Sequence, residues 1–283
     1  MKKAIVVFVF LLCANLAHAD YRLLPTDVLE AKQVEAAVLF AYKQGTGNFD
    51  YGSGAGSQSW DTFFSACSFG VGLGSGFQIN ASIPYVFTDK SRTYYDYNTS
   101  YIFRNSDGSG GFEDFSLSGK YLILDEKNNP FAMAAGLGVK FNTTKATGPF
   151  SGGDSTDFKP LLTASKKVGP NFTPFISYSA YIRSNSDYQN SHCLLIGSEF
   201  KIHQNASLVP EFGVRFYGES EKWSSNREYF LSLSSSIQAF RNFYLIPSVS
   251  FSTATDYRYK LTPQTHYDRQ RTAGGGLSFN YLW

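Results

Sequence analysis

The sequence predicts an all-β fold: a transmembrane antiparallel up-and-down β-barrel of about twelve strands, preceded by a cleaved signal peptide. Three observations predict it. The first nineteen residues have the parts of a secretory leader. Apolar and polar residues then alternate in segment after segment to the final Trp283. The connections between those segments are alternately short and long.

The leader comes first. Met1-Lys2-Lys3 is a positive start, Ala4 to Ala14 is an apolar run, and Ala17-His18-Ala19 is a small-x-small exit before Asp20. The run is too short to span a bilayer, which takes about 20 apolar residues. Cys13 follows Leu12, where a lipoprotein signal needs a small residue. The expected organisation is a signal peptide at 1–19, a short periplasmic segment at 20–32 and an outer-membrane barrel at 33–283.

Composition excludes several classes. No second long apolar run follows the leader, so helical membrane spans are excluded. Net charge is +2, which withholds the bulk electrostatic attraction that nucleic-acid binding needs. The 26 Phe and 19 Tyr suit rings at two membrane interfaces. After cleavage Cys67 and Cys193 remain. They fall in the second and eighth segments, far apart around a wall, so two free thiols are expected.

From Gln33 onward twelve segments can be read with period two: 33–43, 60–72, 76–87, 112–124, 130–141, 157–168, 171–183, 191–203, 206–218, 227–239, 243–255 and 271–283. Each can cross the outer membrane as a tilted strand, which takes about 9–11 residues. After even segments the turns are tight, as at Leu73-Gly74-Ser75, Gly169-Pro170, Gln204-Asn205 and Phe240-Arg241-Asn242. After odd segments most loops are long: 44–59, 88–111, 142–156 and 256–270. That sidedness belongs to periplasmic turns and extracellular loops.

Facing follows from charge. Pairing the fourth and fifth segments about Lys127 sets Phe115 against Val139, Leu117 against Leu137, Gly119 against Ala135 and Tyr121 against Met133, an apolar or small face for lipid. The other face sets Asp114 against Lys140 and Lys120 against Ala134. A one-residue slip would put both lysines into hydrocarbon at about 2–4 kcal/mol each near the midplane. The same rule sends Val34, Val38, Phe40, Ile79, Ile83, Ile176, Ile196, Phe212, Val214, Leu231, Leu233, Val249 and Phe251 outward.

Inward it sends Glu35, Asp114, Lys120, Lys140, Lys159 and Lys167. Further along the chain Arg183, Glu199, Lys201, Glu211, Arg215 and Glu228 also point into the lumen. These charges either satisfy one another and stiffen the wall or form a constriction that selects solutes; the pairs Asp114/Lys140 and Glu211/Arg215 fit both. Phe175, Tyr181, Tyr217, Phe230 and Tyr244 project inward as ring surfaces for weak solute contacts.

Other chemistry finds little support. Of the mature histidines, His203 sits at a periplasmic turn and His266 in a long loop. His192 is adjacent to Ser191 and so points to the opposite face, leaving no nucleophile–base pair. No enzyme activity, catalytic residue, cofactor or metal site is expected: there is no Cys/His cluster. Asp107-Gly108 and Gly152-Gly153-Asp154 read as turns. The cluster Tyr94, Tyr95, Tyr97 and Tyr101 reads either as a strand extension above the membrane or as a contact surface for sugar, lipid or aromatics.

Two resemblances add to this. The ending, with Leu277, Phe279, Tyr281 and Trp283 on one face, resembles the closing strand of Gram-negative outer-membrane barrels. That implies Phe279, Tyr281 and Trp283 as a signal to the barrel-assembly machinery. Gly111-Phe112-Glu113-Asp114-Phe115-Ser116-Leu117-Ser118-Gly119-Lys120-Tyr121 resembles the signature strand of the outer-membrane family named for the MetA pathway of phenol degradation. Ser165-Lys166-Lys167-Val168-Gly169 and Thr26-Asp27 with Gln33-Val34-Glu35 resemble its layout. The chain departs from that family at Asn142-Thr143-Thr144, where Pro-Thr-Gly is usual.

The resemblance implies a transporter. The expected function is thus an outer-membrane channel or transporter for small, hydrophobic or aromatic solutes, with membrane lipids, the assembly machinery and a small-molecule solute as partners. The alternatives are a structural or surface-interaction barrel with a closed lumen, and an outer-leaflet lipid enzyme. Edman sequencing of the membrane-inserted protein is expected to begin at Asp20; a start at Met1, or lipid on Cys13, contradicts the leader reading.

Overall fold

The computed structural model describes residues 24–51, 54–97, 100–108, 110–143, 155–261 and 265–283. The leader and Cys13 lie outside the described residues, as do Gly152-Gly153-Asp154 and the side chains of Tyr97 and Tyr101. All regular elements among them are strands: β1 (Val34–Tyr51), β2 (Gly54–Gly74), β3 (Phe77–Tyr97), β4 (Ser100–Gly108), β5 (Gly111–Phe112), β6 (Ser116–Leu124), β7 (Ala132–Lys140) and β8 (Asp157–Ser165). They continue with β9 (Phe172–Arg183), β10 (Ser191–His203), β11 (Ala206–Tyr217), β12 (Asn226–Phe240), β13 (Phe243–Ala254), β14 (Tyr257–Tyr259), β15 (Thr265–Tyr267) and β16 (Gln270–Leu282). Every sequential wall pairing is antiparallel, and β1 bonds both β2 and β16. The sheet therefore closes into a barrel of twelve strands: β1, β2, β3, β6 to β13, and β16.

Alternation places the two faces as charge requires. Ile196, Leu231 and Phe251 stand more than half exposed on the outer surface, where a water-facing sheet would carry polar groups. Leu117, Leu137 and Tyr281 are exposed on the same side. Inward positions on β12, β13 and β16 are Ser232, Ser234, Ser248, Ser250, Gly274 and Gly276. Such a wall, apolar outside and polar inside, belongs in the outer membrane.

Turns sit where the short connections predicted them. Gly74 and Gly76, at φ 91° and 76°, carry the first periplasmic turn; a side chain would strain both. Of the long extracellular connections, 44–59 is strand in its described residues, where a loop was expected, and Tyr94 follows the strand-extension reading. Residues 44–51 and 54–59 continue β1 and β2 above the membrane, and Tyr94 belongs to a β3 extension paired with β4. Eighteen paired positions along β1 span roughly 60 Å at about 3.3 Å per residue. The nine-residue strands β6 to β8 are half that length. One side of the barrel is tall and the other low.

Three local expectations need correction. The β6–β7 register is Leu117↔Val139, Gly119↔Leu137 and Tyr121↔Ala135, two residues from the predicted pairing. A bulge between Leu122 and Leu124 moves the pairing by one residue beside the turn, and beyond it the even offset from the predicted register keeps each of these side chains on its face. Phe115 and Asp114 fall in a break between β5 and β6 rather than in a continuous strand. Lys167 is not in the lumen: β8 ends at Ser165, and the Lys167 amide donates to Glu126 Oε1 in the periplasmic turns.

Residues 24–33 enter the periplasmic end of the lumen. Leu29 packs with Tyr244 and Leu282 in a buried cluster, and its amide donates to Gln78 Oε1 at 2.7 Å. Thr26 Oγ1 meets Ser165 Oγ at 2.7 Å, and Lys120 Nζ donates to the Pro25 carbonyl at 3.3 Å. Gly72 has no room for a Cβ because the Glu30 carbonyl lies against it.

Leu117→Arg or Leu137→Arg is expected to block assembly, at about 2–4 kcal/mol if near the midplane, whereas Lys120→Ser still yields a heat-modifiable barrel on gels. Deleting Trp283 is expected to lower barrel yield more than removing an interior aromatic such as Phe212. Equal yields in either comparison contradict the facing or the terminal-strand reading.

Candidate functional site

The lumen charges do not form one ring. Glu35, Lys120, Glu199 and Lys201 lie at the periplasmic end. Glu35 accepts from Asn280 Nδ2 at 2.8 Å, and Glu199 accepts from Ser207 Oγ at 2.7 Å. Glu211 sits higher and accepts from Ser232 Oγ at 2.6 Å. The predicted Glu211/Arg215 pair does not form. Four residues along one strand separate side chains by roughly 13 Å, and Arg215 instead reaches Glu228 across β11–β12 at 3.0 Å.

Two constellations stand toward the extracellular side. In the first, Lys140 Nζ lies 3.0 Å from both Asp114 Oδ2 and Asp157 Oδ2. Thr143 N donates to Asp114 Oδ1 at 2.9 Å, and the Ser155 hydroxyl bonds Asp157. Both carboxylates are buried, so one ammonium holds two acids across the break before β6, β7 and β8. Asp157 was not among the predicted site residues, although its parity in the sixth segment is that of the inward Lys159. In the second constellation Tyr217 Oη donates to Glu228 Oε2 at 2.9 Å, beside Arg215, and the Arg215 guanidinium lies 5.8 Å from the Phe230 ring centroid. Lys159 lies over Tyr181 at 5.2 Å, and Arg183 over Tyr188 at 5.4 Å. Cys193 is free and points inward beside Arg215, while free Cys67 faces outward.

The five predicted lumen aromatics divide by height. Tyr244 packs against the N-terminal segment at the periplasmic end. Phe175 and Phe230 lie flat against Gly197 and Gly213 of the neighbouring strands, which leave no space for a Cβ. Rings over glycines line the wall without crossing the channel. Tyr181 and Tyr217 stand higher, among the charges just described.

Above them is a vestibule that sequence reasoning missed. Tyr257 stacks on Tyr267 at 4.9 Å and 9°, and Trp223 contacts Tyr257, Tyr259 and Tyr267 at 4.8–5.9 Å. Phe49, Tyr51 and Tyr95 continue the cluster through Tyr267. β15 pairs with β1, and β14 with β15, which folds this loop back onto the tall wall. Below these rings a cavity of about 500 Å³ is bounded by Trp60, Trp223, Tyr188, Tyr217, Tyr257 and Tyr267 together with Gln58, Gln189, Asn226, Gln270, Ser252 and Thr272. Among the described residues its one charged liner is Glu228. Burial pushes the Tyr257 and Tyr267 phenols up, so both are neutral at physiological pH. Trp223, Tyr257 and Tyr267 sit in connections where no period-two signal marks them.

Around the rim, Lys222 pairs with Asp187 and Lys260 with Glu219, each at 2.5 Å. The Lys260 hydrogen bond holds the Glu219 carboxyl below its usual range, and Asp187 raises Lys222. Glu219 thus favours the folded rim above its unfolded pKa and loses that as pH falls through the folded one. Lys222 contributes below its unfolded pKa and loses that as pH rises through its folded one. Both pairs are intact near neutrality, and salt screens them.

No metal site was predicted, yet Asp50, His266 and Asp268 each bring a ligand atom within 4.8 Å of the others. The cross-strand pair Asp50↔His266 and the two-residue step to Asp268 put all three on one face. That donor set could hold a divalent cation. His192 faces outward with Nδ1 2.7 Å from Tyr178 Oη.

No protein-family model matches the chain, and no curated protein matches it. The MetA-pathway name therefore remains a resemblance of short motifs. Among solved structures the chain is similar to the COG4313 outer membrane channel from Pseudomonas putida F1, with TM-score 0.59 and 10% identity over 93% of this chain and 100% of that one. The translocator domain of the autotransporter NalP from Neisseria meningitidis aligns at TM-score 0.46 and 11% identity, over 99% and 94% of the two chains. The outer membrane protease OmpT from Escherichia coli aligns at TM-score 0.42 and 8% identity, over 91% and 100%. The first establishes the fold. The expectation that the chain is not an enzyme is withdrawn: barrels of this architecture include a protease, and the wall alone does not separate channels from enzymes.

Lys140→Ala is expected to lower the denaturation midpoint by the equivalent of about 3–5 kcal/mol, because it strands two buried carboxylates. The triple variant D114N/K140M/D157N is expected to recover most of the loss. A single variant as stable as the parent contradicts the two-acid clamp.

Proposed function

We propose that this barrel is a selective outer-membrane channel that takes small, uncharged, ring-bearing solutes from outside. The observation that carries the reading is the combination in one lumen of charges that are paired on the wall and aromatic surfaces that are not covered by them. Glu228 is matched by Arg215 and Tyr217, and Lys140 by two aspartates. At these positions a solute ion meets matched charges, whereas a flat solute meets Trp60, Trp223 and Tyr217 at the outer mouth. Twelve strands also enclose less room than the 16–18 of a water-filled porin. The resemblance of Gly111–Tyr121 to a family of uptake barrels supports the same direction.

A second reading, a surface-interaction barrel with a closed lumen, draws on the N-terminal segment seated against Gln78, Ser165 and Tyr244. Planar-bilayer recording separates the two. A small, reproducible single-channel conductance is expected, together with slower solute uptake in a deletion strain. A silent barrel with unchanged uptake favours the closed reading, and a large conductance points to a general pore.

A further inference from the structure

Resting on the channel reading, we propose that the vestibule recognises a neutral carbohydrate, a pyranose ring of one or two sugar units, rather than an aromatic hydrocarbon. The rings alone do not decide between these. The polar groups set among them do.

Gln58, Gln189, Asn226 and Gln270 bring four carboxamides into one aromatic cavity. Gln189 Nε2 donates to the Ser224 carbonyl at 2.6 Å and to Asn226 Oδ1 at 3.5 Å, which fixes the amide and leaves the Gln189 oxygen as an acceptor. A hydrocarbon filling this space would strip water from these amides and offer no hydrogen bond in return. A sugar matches both parts of the surface. Its axial C–H face lies against Trp or Tyr, and its equatorial hydroxyls donate to and accept from amides, each of which can do either.

Charge argues for a neutral sugar. Glu228, the charged liner, already accepts from Arg215 at 3.0 Å and Tyr217 at 2.9 Å. An acidic sugar would be repelled by that carboxylate and would find Arg215 engaged. Burial keeps the Tyr257 and Tyr267 phenols protonated, so they add no competing anion. The cavity volume, about 500 Å³, lies in the range of small-molecule sites, roughly 300–1,000 Å³, which admits one or two hexose rings.

Tryptophan fluorescence tests this directly, because two of the three tryptophans line the cavity and the third, Trp283, ends the chain at the periplasmic side. In refolded, full-length W283F protein, glucose, maltose or sucrose is expected to give a saturable change, with phenol and glucuronate at least about tenfold weaker. Gln58→Ala should weaken sugar binding about tenfold while still giving a heat-modifiable barrel. Absence of any saturable sugar response, tighter phenol than sugar, or an unchanged sugar response in Q58A overturns the proposal. A sugar response in a barrel without conductance would instead remove the channel reading and leave the binding site.

Discussion

Hydrocarbon offers no partner to a peptide group, so each amide and carbonyl that crosses the membrane must be bonded within the wall. Closure is the only way a sheet meets that demand without a bare edge. From β1 to β16 the chain obeys it, with β1 bonded to neighbours on both sides. Everything else in the molecule works inside this constraint. Because the backbone cannot vary, function must be written in side chains on the inner face and in strand ends that rise above the membrane.

The inner face shows what that leaves room for. Charges can be housed there because the lumen is polar, and two of the cations are compensated by a neighbour one strand away: Lys140 by Asp157, Arg215 by Glu228. Aromatic rings can be housed there only where the adjacent strand gives way. Trp60 lies over Gly45 just as Phe230 lies over Gly213, and a methyl group on either glycine would push the ring into the channel. Glycine in these strands costs β-propensity. Here it supplies flat aromatic wall.

The sequence made the faces, the even turns and the strand count legible because all three depend on period two and on local turn residues. Register was legible only modulo two. Counting from Lys127 could not see the bulge at Leu122/Leu124, yet the bulge leaves Leu117 and Leu137 outside and Lys120 inside. The N-terminal segment was not placed because residues 24–33 carry no strand period, and their contacts to Gln78, Ser165 and Tyr244 come from distant strands. The vestibule was hidden for the same reason. Tyr95 and Phe49 sit on extended strands, but Trp223, Tyr257 and Tyr267 come from connections that meet only when β15 pairs with the top of β1. Long-range pairing creates that site, and no local pattern encodes it.

The seam between β1 and β16 shows how closure and composition pull against each other. Gly274, Gly275 and Gly276 pair with Lys43, Tyr42 and Ala41, so the last strand to join has the weakest intrinsic preference for extended structure just where the ring must shut. Twelve registered pairs from Glu35↔Leu282 to Thr46↔Arg271 offset that weakness, and reciprocal bonds between Val34 and Trp283, both at 2.9 Å, pin the periplasmic end. Outside, Phe279 packs edge-on to Phe40 across the seam, and Tyr281 meets Trp283 in the same way. Inside, Asn280 bonds Glu35 and Leu282 packs on Leu29. The glycines keep the lumen open at mid-height, while the terminal residues on both faces hold the seam at its base. Large side chains at the base of β16 thus offset the weak strand preference of the glycines higher up.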